Sequence, residues 1–157
     1  MCPDRVTPAV RSRMMAGIKG KNTKPELVIR SALHRRGFRF RLHRKDLPGK
    51  PDLVFNRRKA VIFVHGCFWH GHDCHLFRWP KSQEIFWREK IGRNIQRDHE
   101  QYLALADSGW RVCTVWECAL KGKTRISVEH IANQCAIWLK SDIKMLEVSG
   151  NESGATV

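Results

Sequence analysis

Apolar residues recur along this chain at two spacings, every three to four positions and every second position. Glycine, proline and serine mark the changes between them. The first regular segment reads as a helix: Thr23 with Glu26 three positions on has the form of a capping box, Pro25 sits in the first turn, and Gly37 can end it. Residues 38–43, Phe-Arg-Phe-Arg-Leu-His, alternate with period two, as a half-buried strand does. A turn follows at Leu47-Pro48-Gly49-Lys50, and residues 52–55 and 60–64 read as a hairpin joined by the polar Asn56-Arg57-Arg58-Lys59. Ser82 predicts the start of a long helix through residue 107, with Ile85, Ile91, Ile95, Leu103 and Ala106 on one face and Gly109 as its stop. Residues 110–116 form a further strand, and Ser127 opens a last helix carrying Val128, Ile131, Cys135, Trp138 and Leu139.

That order predicts a single α/β domain with a mixed central sheet flanked by helices. The basic, irregular residues 1–22 read as an N-terminal arm, residues 23–140 as the domain, and residues 141–157 as a flexible tail. At 157 residues the chain is long enough for one substantial core. No apolar run approaches membrane-spanning length and no signal-peptide core follows Met1, so a soluble cytoplasmic protein without membrane association is expected.

Charge changes the picture more than composition does. Lysine and arginine number 29 against 15 acids, a net charge of +14, and the excess runs through the folded portion instead of collecting in a tail. That distribution points to a nucleic-acid partner.

Residues 65–75 read His-Gly-Cys-Phe-Trp-His-Gly-His-Asp-Cys-His and hold four of the eight histidines and two of the six cysteines. In an intracellular chain such a cluster argues for metal before disulfides. Cys67 and Cys74 are candidate zinc ligands with His70, His72, Asp73 or His75, and Cys118, just after a strand, can supply another from a distance. The spacing leaves the ligand histidine open. Cys113 and Cys135 follow strand and helix patterns and read as core.

Two further features carry chemistry. Asp52, at the mouth of an apolar strand with the next strand ending at His65, resembles the way PD-(D/E)xK nucleases offer a carboxylate to Mg²⁺. The second half of that motif is missing, since Phe63-Val64-His65 stands where an acid and a lysine belong. Phe68 and Trp69 are adjacent on a loop, where both can project outward as a wedge into a base stack, or pack as ordinary core.

Taken together, His65-Gly-Cys-Phe-Trp-His70, His72, Cys74, the upstream Leu47-Pro-Gly-Lys-Pro-Asp52, and the downstream Phe86-Trp-Arg-Glu-Lys-Ile-Gly, Gly109-Trp-Arg-Val and Val115-Trp-Glu-Cys-Ala-Leu120 closely resemble the very-short-patch repair (Vsr) DNA mismatch endonucleases. The likeness is colinear from about Arg11 to Trp138. It implies a PD-(D/E)xK-like fold with one structural Zn²⁺, acting as a bacterial monomer on double-stranded DNA. The implied activity is Mg²⁺-dependent and strand-specific, a nick 5′ of the thymine in T:G mismatches left by deamination of 5-methylcytosine.

By motif position Asp52 and the Val64 backbone carbonyl would bind Mg²⁺. His70 would activate water, His65 would stand at the phosphate, and Glu26 would support them. Cys67, His72, Cys74 and Cys118 would bind zinc. Phe68 and Trp69 would enter the stack, with Met15 as a minor-groove wedge. Val64 replaces a threonine of the family pattern, which a backbone ligand tolerates, and Gly71 and Asp73 replace histidines, which narrows the choice towards His72. Two rivals remain: a nuclease for other lesions or sites, and a zinc-stabilised DNA-binding module without catalysis.

Overall fold

The computed structural model describes residues 23–150, so the arm with Met15 and the last seven residues lie outside the described residues. Among the described residues three helices, α1 (Lys24–Arg35), α2 (Glu84–Asp107) and α3 (Val128–Leu139), accompany five strands, β1 (Arg41–Leu42), β2 (Leu53–Phe55), β3 (Ala60–His65), β4 (Arg111–Trp116) and β5 (Met145–Val148). The sheet order is β1-β2-β3-β4-β5. β1, β2 and β3 pair antiparallel, Leu53 opposite Ile62, while β3, β4 and β5 run parallel, His65 beside Trp116. The domain is therefore mixed α/β, as the alternating patterns predict.

Side-chain alternation sorts the core into two layers. Leu53, Phe55, Ala60, Ile62, Cys113, Val115 and Val148 meet Ile29 and Leu33 of α1 and Ile131, Cys135, Trp138 and Leu139 of α3. On the other face Val54, Val61, Phe63 and Val112 meet Leu105 of α2. Arg111 closes the far end of the sheet by donating to the carbonyls of Trp138 (2.9 Å) and Leu139 (3.0 Å), acceptors that the end of α3 leaves without helical partners.

Several sequence expectations need correction. Residues 141–157 are not a tail throughout, because Met145–Val148 forms the edge strand β5 and Val148 is buried. A four-residue strand is too short to announce itself by periodicity; its parallel partner β4 creates it. The strand expected over 38–43 shrinks to Arg41–Leu42, since Phe38 turns into the core. Thr23 occupies the N-cap of α1 without a capping side-chain bond, and Glu26 is not a capping-box acid but is buried and turned inward. α2 starts at Glu84 after Gln83, not at Ser82. Of its expected face only Ile91 is buried, joined by Leu105, whereas Ile85 is 77% exposed and Leu103 points outward. The inward stripe instead follows Ile91, Asn94, Asp98, Tyr102 and Leu105, which interleaves polar residues that a search for apolar period passes over.

Candidate active site

Where β3 leaves the sheet, the chain makes a compact loop instead of a helix. His72 N–H donates to the Cys67 carbonyl at 2.9 Å, and Gly71 takes φ +61°. A Cβ at Gly71 would lie 2.5 Å from Ile95 Cδ1, so the left-handed backbone favours glycine here and a larger residue would have to displace the end of the Ile95 side chain. The 3-10 turn Glu117–Ala119 after β4 comes beside this loop, with Glu117 accepting from Cys67 N–H at 3.3 Å. α2 holds the loop from the other side, since Asn94 Nδ2 donates to the Trp69 carbonyl at 2.9 Å.

Three clusters of polar ligands result. In the first, Cys67, His72, Cys74 and Cys118 bring four donor atoms within 4.8 Å of one another. His72 Nδ1 lies 3.5 Å from Cys67 Sγ and 3.6 Å from Cys118 Sγ. Adjacent corners of a zinc tetrahedron with Zn–S of about 2.3 Å and Zn–N of about 2.0 Å are about 3.6 Å apart, so the donor set fits that ion. Backbone N–H groups of Cys118 and Gly150 donate to the sulfurs of Cys67 (3.3 Å) and Cys118 (3.2 Å), as suits thiolates. Without a cation, burial pushes the Cys67 thiol far above its ordinary value and raises Cys118 as well. His75 stands outside the cluster: its Nδ1 is 3.4 Å from Thr124 Oγ1, and its buried Nε2 has no hydrogen-bond partner among the described residues.

The second cluster is Glu26, His43 and Asp52. Asp52 Oδ2 accepts from Val64 N–H at 2.7 Å, and His43 Nε2 meets Glu26 at 2.7 Å and Asp52 Oδ1 at 3.9 Å. A strand residue sends its N–H and C=O to the same side, so the Val64 carbonyl also faces the Asp52 side, beyond the last β2–β3 pair at Leu53 and Ile62. A carboxylate oxygen and a backbone carbonyl are hard-cation ligands. Burial, and then the neighbouring Glu26, push Asp52 up to about 7, against the lowering pull of the Val64 hydrogen bond.

In the third, His65 and His70 stack with ring centroids 3.7 Å apart and planes 3° from parallel. His70 Nδ1 bonds Asp98 Oδ2 at 2.5 Å, which places the proton on Nδ1 and leaves Nε2 as an acceptor. Burial, with the His70 ring against it, lowers His65 to about 3, so its imidazole is neutral at physiological pH. Phe68 and Trp69 are half-buried and stand edge to face at 5.2 Å. They do not both project freely: each also packs on Trp87, at 5.4 and 5.8 Å. A groove of about 700 Å³ is lined by Val64, His65, Phe68, Trp69, His70 and Lys90 among others.

The family model for the DNA mismatch endonuclease Vsr matches residues 3–76. The type II nicking enzyme V.XorIIP of Xanthomonas oryzae is 54% identical over 117 residues, covering 74% of this chain and 86% of that protein. This chain belongs to the Vsr family. The DNA mismatch endonuclease Vsr of Escherichia coli is 42% identical over 131 residues, 83% of this chain and 84% of its own. The type II nicking enzyme V.NmeAIP of Neisseria meningitidis is 46% identical over 120 residues, 76% and 86% of the two chains.

In this Vsr-family chain the fold brings Asp52, Val64, His65, His70 and Glu26 to one end of the sheet, and gathers Cys67, His72, Cys74 and Cys118 beside it. His43, Asn94 and Asp98 join the site without having stood out in the sequence, and Trp87 joins it from the Phe86-Trp-Arg-Glu-Lys-Ile-Gly segment. Asn94 and Asp98 are four apart on a helix that also presents Ile91 and Ile95 to the loop, and that shared face was the available signal.

Proposed function

We propose that this protein cuts one strand of duplex DNA on the 5′ side of the thymine in a T:G mismatch. The observation that carries this reading is one groove bordered by both kinds of machinery: His65 and His70 with Val64, which is bonded to Asp52, and the aromatic pair Phe68 and Trp69. The Escherichia coli relative is named a mismatch endonuclease and the Xanthomonas relative a nicking enzyme, which supports single-strand scission at a mispair.

In this reading the fold is PD-(D/E)xK-like, with Asp52 and the Val64 carbonyl holding Mg²⁺. Bound there, the ion supplies charge stabilisation to the phosphorane-like transition state and the leaving oxygen. His70, its Nδ1 committed to Asp98, takes the proton of the attacking water on Nε2, and the Asp98 carboxylate stabilises the imidazolium that forms. Neutral His65, stacked on His70, orients a phosphate oxygen through its ring N–H. Glu26 acts through His43, fixing that ring beside Asp52.

Cys67, His72, Cys74 and Cys118 hold Zn²⁺ as a closed structural site, since four protein ligands leave no position for substrate. Phe68 and Trp69 insert at the mispair, where stacking is already weakened and unstacking costs least. Met15, outside the described residues, is assigned a second wedge, and the protein acts as a monomer.

The test is nicking of a T:G duplex beside its T:A control, with zinc-loaded protein and Mg²⁺. A single cut 5′ of the thymine in T:G alone is expected. Equal cutting of both duplexes removes mismatch recognition, a panel of other mispairs and lesions separates the rival nuclease, and absence of turnover leaves only a binding module.

A further inference from the structure

We propose that the end of the sheet opposite the candidate active site is a second phosphate-binding surface, and that its ligand is the backbone of a separate duplex DNA segment. There Arg39 and Arg41 flank the open edge of the sheet, and Arg57 and Arg58 stand at the turn between β2 and β3. Together they border a concavity of about 520 Å³. Its floor is aromatic, with Phe55 packed against Phe38 at 6.3 Å and Phe40 at 5.5 Å. The Arg58 guanidinium sits 5.4 Å from the Phe38 centroid, and Arg39 donates to the carbonyls of Phe38 (3.0 Å) and His34 (3.3 Å), so two of the four are already oriented.

Among the described residues no carboxylate lines this concavity. Elsewhere Arg30, Arg36, Arg44 and Arg88 pair with Glu26, Glu129, Asp46 and Glu84. Among the described residues none of Arg39, Arg41, Arg57 and Arg58 forms an ion pair, and no acid lines the concavity. Four guanidinium forks without acidic partners around one hollow suit the phosphate oxygens and charge of a nucleic-acid backbone. Lys140, 5.9 Å from the Phe38 ring, extends the same sign.

The position decides which DNA is meant. β3 runs from this end to His65 over six residues, a rise of about 17 Å. The arginine hollow is therefore set at the start of β3, level with Val61, and the catalytic groups at its end, which leaves the hollow open to a second duplex segment when a first is seated at His65. A protein with both surfaces can hold an undamaged segment while its catalytic end engages a mismatch.

The experiment uses the full zinc-loaded chain saturated with a short T:G duplex, without added divalent cation. A labelled, fully paired duplex is then titrated in over a series of salt concentrations. The wild-type complex is expected to bind it, and Arg41→Ala with Arg57→Ala to weaken that binding about tenfold, flattening the slope of log K against log salt by about 2, close to 0.9 per lost phosphate contact. Lys123→Ala with Lys144→Ala, which removes the same charge from other exposed positions, is expected to keep the affinity within about twofold. Thermal melts check that both variants fold.

The proposal is overturned by absence of second-duplex binding, by an unchanged salt slope in the arginine variant, or by equal loss in the lysine control. Capture of a polyglutamate peptide in place of DNA also overturns it and assigns the surface to an acidic protein. Adding Mg²⁺ afterwards reads nicking of the first duplex separately, so failure at the catalytic end is distinguishable from failure here.

Discussion

Asp52→Asn is expected to stabilise the fold while abolishing nicking. The Asp52 side chain is 16% exposed, and burial with Glu26 nearby raises its pKa from the ordinary value of 3.8 to about 7. Between those values the folded protein keeps a proton that the unfolded chain has released. Stability therefore falls as pH rises from about 4 to about 7 and is flat above, because a raised carboxyl pKa opposes folding of the charged form. At about 1.4 kcal/mol per tenfold, the displacement sets an upper bound of about 4 kcal/mol at pH 8. Residual hydration lowers this to about 2 kcal/mol. Asparagine has nearly the same shape, carries no charge, and can accept the Val64 N–H bond through its amide oxygen.

Urea unfolding followed by tryptophan fluorescence measures the difference, with zinc retained and no Mg²⁺ added. For a slope of about 2 kcal/mol per molar, the Asp52→Asn midpoint is expected about 1 M higher than wild type at pH 8, with most of that gap closed at about pH 4.5. Mg²⁺ should stabilise only the wild type, by about 2.7 kcal/mol at a hundredfold excess over its dissociation constant, which raises its midpoint by about 1.4 M. A midpoint gap of equal size at both pH values, or a variant less stable at pH 8, contradicts the view that Asp52 is held charged against its surroundings. Ordinary turnover by the variant removes Asp52 from the reaction.

Asp98→Asn is expected to lower kcat about a hundredfold with KM nearly unchanged, since the His70 imidazolium formed in the reaction loses its counter-charge; a change confined to KM contradicts a positioning role. Phe68→Ala should reduce the preference for T:G over T:A binding by about tenfold without changing the salt slope, as measured by competition titration. Cys118→Ser should lower bound zinc to well below one ion per chain and lower Tm, read by metal analysis and calorimetry; full zinc occupancy in that variant removes Cys118 from the ligand set.

Legibility in the sequence followed range. The β2–β3 hairpin, β4 and α3 were readable because local periodicity and turn residues agree with the tertiary structure; Ser127 does accept from His130 N–H at 3.1 Å. β5 was not, because Met145–Val148 is a strand only by virtue of its partner. Glu26 satisfied a local rule that lost to a distant one, the 2.7 Å contact with His43 seventeen residues on. The loop residues were conspicuous by type, whereas Asn94 and Asp98 look like ordinary polar positions on a surface helix. Their meaning depends on which side of α2 meets the loop, and that is set by packing of Ile91 and Leu105.

That packing also explains why the thiol cluster and the histidine pair can occupy one short loop without interfering. Trp116, at the end of β4, stacks on His72 at 4.1 Å with planes 8° apart and presents its ring to His65 (5.4 Å) and His70 (6.3 Å) at steep angles. The indole thus contacts all three rings, so His65 and His70 are held by the same wall that fixes His72. From the opposite direction α2 grips the intervening residues through Asn94, Asp98 and the Ile95–Gly71 approach. The loop is clamped between a strand end and a helix, and its aromatic and imidazole side chains keep a fixed spacing along only six residues, from His65 to His70. Under the proposed function, rigidity at that spacing would make insertion at a mispair and alignment of a phosphate a single event, because a loop free to shift one relative to the other would bind the mismatch without presenting the bond.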